Sequence, residues 1–194
     1  MGNKKIVFFD ASSTTPVDKR VLDEMLPYFS EKFGNPSSHI HSVGVAAGEA
    51  LDDARTKVAR LISASAGEIY FTSGATESNN LAILGYLNAY PDCGKHIIIS
   101  EIEHYSVLNL GYKLKRQGFD VTFLKSDNYG LINPEELEKA ITTETSIISI
   151  QNASSEIGTI QDIRKLAEIA HKSDIYFHTD STAGAGNIPV DVND

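Results

Sequence analysis

Five short apolar runs, alternating with stretches of helical periodicity, limit this chain to one broad kind of fold. The runs fall at 69–71, 97–99, 121–124, 147–150 and 175–177. Each is too short for a buried helix, and each is apolar without a polar alternation, so both of its faces must be covered. Residues 81–89, 107–117, 134–140 and 163–171 repeat their apolar positions at helical spacing. Strands separated by amphipathic helices make an α/β fold: a mainly parallel sheet with helices on both faces.

Ahead of the first run the chain reads differently. Ile6 to Phe9 is a short extended segment, followed by a polar loop through Pro16. Asp18 then predicts the N-cap of a helix reaching about Phe33, with Val21, Met25 and Phe29 on one face. Gly34-Asn35-Pro36-Ser37-Ser38 breaks it, and a second helix is expected from about Val43 to Ile62. The chain therefore reads as a single domain over 1–194, with an N-terminal helical segment at 1–64 and an α/β core at 65–194.

Composition removes several classes of function. A net charge of −9 with no basic run argues against nucleic-acid binding. Cys93 stands alone, which excludes an intrachain disulfide and suits a reducing compartment. No apolar run reaches membrane-spanning length, no signal-type core follows the start, and Ile6 breaks the myristoylation pattern begun at Met1-Gly2. A cytoplasmic location without membrane partners is the expectation. His39 and His41 stand two apart with no cysteine or carboxylate beside them, so no metal site is expected.

In open α/β sheets ligands bind beyond the carboxyl ends of the strands. After the first run, Ser73-Gly74-Ala75-Thr76 turns into a helix whose free N–H groups and positive end suit a phosphate. Thr76 adds a hydroxyl, and Glu77 complements the dipole. The turn is neither GxGxxG nor a Walker loop, which disfavours a nucleotide. The second run leads to His104, the fourth to Ser154-Ser155-Glu156, and the fifth to His178-Thr179-Asp180. Each has an ordinary alternative. The turn can be a well-capped βα connection, His104 a helix cap, Asp180 a satisfied loop carboxylate, and His178 a packed core residue. Gathered at one sheet edge, they favour a site for a phosphorylated heteroaromatic cofactor.

Several stretches together resemble a known family. They are Asp10 to Asp18 with Thr14-Thr15-Pro16, Phe33-Gly34-Asn35-Pro36-Ser37-Ser38, and Phe71-Thr72-Ser73-Gly74-Ala75-Thr76-Glu77-Ser78-Asn79-Asn80. Glu103-His104, Glu156-Ile157-Gly158-Thr159-Ile160-Gln161 and His178-Thr179-Asp180 complete the set. In order and spacing these resemble the N-terminal half of the cysteine desulfurases, fold-type I pyridoxal-phosphate (PLP) enzymes of the class V aminotransferase type. The resemblance implies conversion of L-cysteine to L-alanine, with sulfur passed as an enzyme persulfide to iron–sulfur cluster assembly or thio-modification. It implies that Ala75 and Thr76 bind the cofactor phosphate, that His104 stacks on the pyridine ring and moves protons, and that Asp180 pairs with the ring nitrogen.

The chain also departs from that pattern. The family's Schiff-base lysine lies in a Ser-x-His-Lys motif further on than residue 194, and the fourteen residues after Asp180 hold no lysine. Lys165 and Lys172 fall on an expected outer helix. The persulfide cysteine and the small C-terminal domain are likewise absent from 1–194, and Cys93 falls in a turn at the opposite sheet edge. Ser155 replaces an asparagine that hydrogen-bonds the cofactor's ring oxygen, and Ala183 replaces a glutamine. Two readings follow. The chain is a desulfurase-like PLP fold, inactive alone or one half of a split enzyme, whose partners are a separate C-terminal half, a second copy or a sulfur acceptor. Alternatively it is a non-catalytic scaffold derived from that fold.

Overall fold

The computed structural model describes residues 7–193, so the readings at Met1-Gly2, Ile6 and Asp194 lie outside it. The described chain divides into two compact units, one formed by residues up to Tyr70 together with Asp191–Asn193, the other by Phe71–Val190.

The first unit is helical. Asp18 caps α1 (Lys19–Met25), its side chain accepting from the Arg20 N–H at 2.8 Å. The single helix expected through Phe33 is instead two, because Pro27 lacks the N–H that would continue the ladder. It opens α2 (Pro27–Ser30) at the N1 position, where no donor is needed. The long α3 (Ser42–Leu61) starts at His41, whose Nδ1 accepts from the Gly44 N–H at 3.1 Å. That cap explains one of the paired histidines. A short 3-10 turn at Ala66–Glu68 is closed by Ser65 and Glu68 as a capping box.

The second unit carries the sheet. After α4 (Ala75–Ala89) come β1 (His96–Ser100), α5 (Tyr105–Arg116), β2 (Asp120–Leu124), α6 (Pro134–Ala140), β3 (Thr145–Ser149), α7 (Ile163–Lys172) and β4 (Tyr176–His178). The strands pair in the order β2-β1-β3-β4, all parallel. Strand alternation sorts the isoleucines onto two faces. Ile97, Ile99 and Ile147 join Ile83 and Leu87 of α4 and Val107, Leu110 and Leu114 of α5. Ile98, Ile148 and Ile150 join Leu137 of α6 and Leu166 and Ala170 of α7. Most of these are fully buried, and each side chain so buried contributes about 1.5–3 kcal/mol. At the amino end of β1, His96 bridges both neighbours, its Nδ1 to Thr145 Oγ1 at 2.7 Å and Nε2 to Thr122 Oγ1 at 2.9 Å.

The expectation of a first strand is also overturned. Residues 69–71 form no strand: the backbone is extended at Ile69 but joins no ladder, and Tyr70 and Phe71 are exposed. A β-branched and aromatic run specifies side chains that suit a sheet, not a neighbouring strand with free N–H and C=O groups.

Candidate active site

The carboxyl ends of β1, β3 and β4 and the N-termini of α4 and α5 meet within the second unit, and hydrogen bonds join them. No side chain caps α4, and its first intrahelical bond runs from the Ser78 N–H to the Gly74 carbonyl at 3.1 Å. The N–H groups of Ala75, Thr76 and Glu77 therefore lack acceptors within the helix. Glu77 turns back to accept from the Ser73 N–H at 2.8 Å and the Ser73 hydroxyl at 2.6 Å, which holds its carboxylate below the usual range. Thr72 Oγ1 donates to the Gly74 carbonyl at 3.1 Å and stands 2.7 Å from Ser78 Oγ. Ala75 is half-buried and Thr76 exposed at the mouth of this turn.

His104 is the N-cap of α5, so the capping alternative holds, and it does not displace the functional one. Its Nδ1 accepts from the Ser106 N–H at 3.1 Å and lies 2.8 Å from the Ser106 hydroxyl, while the ring stays exposed. Asp180 follows β4. Its Oδ1 accepts from the Thr182 N–H at 2.9 Å and its Oδ2 from Asn79 Nδ2 at 2.7 Å. Burial pushes the Asp180 carboxyl up, but the bonds from Thr182 and Asn79 and the nearby His178 outweigh it, and the net shift is downward. Asp180 is thus a half-buried carboxylate kept ionised by its donors.

His178 shares Asp180's face of the extended segment, with Nδ1 2.9 Å from Ser149 Oγ, and burial lowers its pKa to about 4. It is a neutral, packed imidazole. Asn152, after β3, donates its N–H to the Asp180 carbonyl at 2.9 Å and accepts at Oδ1 from Ser181 Oγ at 3.3 Å. Ser155 is an exposed residue on a hairpin closed by the Ala153–Ile160 bridge and by the Ser154 N–H to the Thr159 carbonyl at 2.9 Å. Ser154, Glu156 and Ile157 of that hairpin line a pocket with Glu103 and His104. Ala183 contributes only backbone, its carbonyl accepting from Asn187 Nδ2 at 3.0 Å. Gln161 pins a neighbouring loop, accepting from the Ile132 N–H at 3.0 Å and donating to the Gly130 carbonyl at 2.6 Å.

Three residues that sequence reasoning gave no role stand inside the site. Asn79 and Ser106 connect its parts: Asn79 Nδ2 reaches Ser106 Oγ at 3.0 Å as well as Asp180. Both were legible as polar interruptions of apolar stripes, for Asn79 precedes Ile83 and Leu87 at steps of four, as Ser106 precedes Leu110 and Leu114. Glu103 is the third. At 5% exposure it accepts at Oε1 from the Ser100 hydroxyl at 2.5 Å and the Gln151 N–H at 2.6 Å, tying the ends of β1 and β3 together. Its Oε2 is buried without a partner. Burial raises its pKa to about 7; the two bonds oppose this and Asp180 adds to it. The resemblance singled out Glu103 with His104, but no local spacing showed that this carboxyl is buried while the nearby Glu101 is exposed.

Other candidates stay apart. Lys165 and Lys172 are exposed on α7, which packs on the sheet face opposite α4 and α5. Cys93 sits in the turn before β1, at the amino end of the strands. Among the described residues, no three His, Cys, Asp or Glu side chains gather as metal ligands.

The parallel α/β unit has the fold of the large domain in fold-type I PLP enzymes, and comparison with known proteins places the chain among them. The aminotransferase class-V family profile matches residues 7–194, and the chain belongs to that family, whose members depend on PLP. Its relatives include cysteine desulfurase IscS of Methanosarcina thermophila, 51% identical over 97% of this chain and 46% of that protein. Cysteine desulfurase IscS 1 of Archaeoglobus fulgidus is 49% identical over 95% of this chain and 48% of its own length. A solved NifS-like protein superposes with a TM-score of 0.92 at 38% identity, covering 96% of this chain and 51% of that one. A structure described as SspA in complex with cysteine gives 0.92 at 40% identity, over 96% and 53%. The chain thus spans about half the length of the curated relatives it matches, corresponding to their N-terminal portion.

Proposed function

We propose that this chain carries the cofactor-binding portion of a PLP-dependent cysteine desulfurase site. The observation that carries the reading is the unbroken set of hydrogen bonds joining Asp180, the first turns of α4 and α5, and His104. These groups fit the cofactor's parts by chemistry. The uncapped N–H groups at Ala75 and Thr76, with the Thr76 hydroxyl, suit a phosphate dianion. Asp180, held ionised, suits a protonated ring nitrogen, a charge-assisted pair stronger than a neutral hydrogen bond. His104 presents a flat, exposed ring, and Ser155 lies on the hairpin bordering it. When bound, PLP supplies an electron sink for bonds broken at the substrate carbon. The chain's own residues hold the phosphate, keep the anion at Asp180 and offer the His104 imidazole for proton movement.

In this reading the whole protein converts L-cysteine to L-alanine and hands sulfur to an acceptor, for iron–sulfur assembly or thio-modification, in the cytoplasm. The cysteine desulfurases among its relatives support that reaction. The anchoring lysine and sulfur-carrying cysteine come from outside residues 1–194, so these residues alone are inactive. A separate C-terminal half supplies both and completes the site. The replacements at Ser155 and Ala183 favour a second reading, in which the fold serves as a non-catalytic scaffold.

The test is an absorbance titration with PLP, alone and with the C-terminal half of a relative, followed by borohydride reduction and mass analysis. A band shifted into the visible, a single lysine adduct in the paired assembly and alanine formed from cysteine are the expected results. Asp180→Ala is expected to weaken PLP binding by about tenfold or more, the scale of one charge-assisted bond. PLP binding without alanine selects the scaffold. No PLP binding under any pairing refutes both the cofactor assignment and the reaction.

A further inference from the structure

The Asn79–Ser106 link has a direction, and the direction determines where a proton sits. An ionised Asp180 only accepts, so the Asn79 group 2.7 Å from it is the amide NH2. The same nitrogen spends its other hydrogen on Ser106 Oγ at 3.0 Å. Ser106 Oγ therefore accepts from Asn79 and has its own hydrogen to give, and His104 Nδ1 lies 2.8 Å away. The Ser106 backbone N–H, which can only donate, converges on the same Nδ1 at 3.1 Å. Two donors aimed at Nδ1 make it the unprotonated nitrogen, and the neutral ring carries its hydrogen on Nε2. Asn79 is 4% exposed and Ser106 9% exposed, so water does not compete for these bonds as it does at the surface.

We propose that Asn79 and Ser106 are positioning residues that hold His104 as the Nε2–H tautomer and lock its ring in register with Asp180. This deepens the PLP reading of the site and rests on it where the cofactor is concerned. The ring nitrogen that exchanges a proton with a bound molecule is then Nε2, since Nδ1 is committed to α5. The carboxylate that pairs with a ligand's cationic nitrogen and the imidazole beside that ligand are set by one amide. Loss of the Asn79 donors disturbs both ends, although Asn79 touches neither a phosphate site nor the His104 ring directly.

The experiment labels the full chain with ring-15N histidine and reads long-range 15N–1H correlations with and without added PLP, using His104→Gln to assign the signals. The expected wild-type pattern has a protonated Nε2 and a strongly hydrogen-bonded, unprotonated Nδ1 on His104. Ser106→Ala, a substitution that suits a helix, is expected to shift the Nδ1 signal toward that of a free ring nitrogen, and Ser106→Thr to restore it. Asn79→Leu, close in volume but without donors, is expected to move the His104 signals through Ser106 and to weaken PLP about tenfold. If Asn79→Leu does not fold, as judged by circular dichroism, the Ser106 pair carries the test. A hydrogen on Nδ1 in the wild type, or His104 signals unchanged in both Ser106→Ala and Asn79→Leu, overturns the proposal. A wild-type chain that binds no PLP under any pairing sinks the functional reading, while the tautomer still stands or falls on the ring signals.

Discussion

Glu103 is buried and His178 half-buried, both near Asp180, and their pKa values shift in opposite senses. His178 has its pKa lowered from 6.5 to about 4 by burial, with Asp180 opposing. Between those values the unfolded chain binds more protons than the folded one, so stability is lost as pH falls. Glu103 has its pKa raised from 4.5 to about 7. Between those values the folded chain keeps a proton the unfolded chain has released, so stability is lost as pH rises. Each shift corresponds to roughly 3 kcal/mol over its window. Where the windows overlap, the two slopes oppose one another. Urea unfolding across pH 4 to 8 is therefore expected to separate them by mutation. His178→Asn leaves a chain whose stability declines from about pH 4.5 to 7, and Glu103→Gln one whose stability climbs from about pH 4 to 6.5. Parallel profiles for the two variants would contradict the burial assigned to these groups. At this scale the sequence showed the chemistry-bearing residues but not their protonation, because desolvation depends on neighbours far along the chain.

Elements were easier to read than their pairing. Helices α6 and α7 fall where their apolar spacing and their caps Asn133 and Asp162 place them. The stretch at 69–71 had strand-like side chains and acquired no ladder. Turn chemistry is equally local in origin and tertiary in consequence, as Gly94 shows. It sits before β1 at φ 106°, and a Cβ there would drive into the Glu144 carbonyl, with the carbonyl carbon at 2.8 Å. That carbonyl is already engaged by the His96 N–H at 2.9 Å, so it cannot retreat freely. Gly94→Ala is expected to cost roughly 1–3 kcal/mol from the backbone conformation alone, with the clash in addition. A fall in the thermal midpoint measures it, and an unchanged midpoint refutes the tight approach of this turn to the strand end.

Across the whole molecule, burial is distributed very unevenly. In the second unit, β1 and β3 are buried along their full length, with Ile97, Ile98, Ile99, Ile147 and Ile148 at 0% exposure. In the first, α1 and α2 bury no residue, and Phe29 and Phe33 are 75% and 72% exposed. Local opening is cheapest where few apolar contacts are lost. Native-state hydrogen exchange of the chain is expected to find its slowest amides in β1 and β3. Amides of α1 and α2 are expected to exchange at least about a hundredfold faster. Equal protection in the two units would show that the first is stabilised by something other than its own buried surface.

The sequence by itself determined the fold class, the alternation of helices and strands from α4 onward, and the sheet edge to which the candidate residues Ala75, Thr76, His104 and Asp180 belong. Those properties follow from hydrophobic periodicity and from caps, which act over a few residues. Only the tertiary structure decided which apolar runs pair, and that Glu103 is buried with one oxygen unpartnered. Only it joined Asn79 to Asp180, 101 positions away. Such contacts are made when α4, α5 and β4 converge on one sheet edge, and no local pattern specifies which polar side chain meets which. That is why the site's residues were legible singly, while the hydrogen-bonded connection that holds His104 to Asp180 was not.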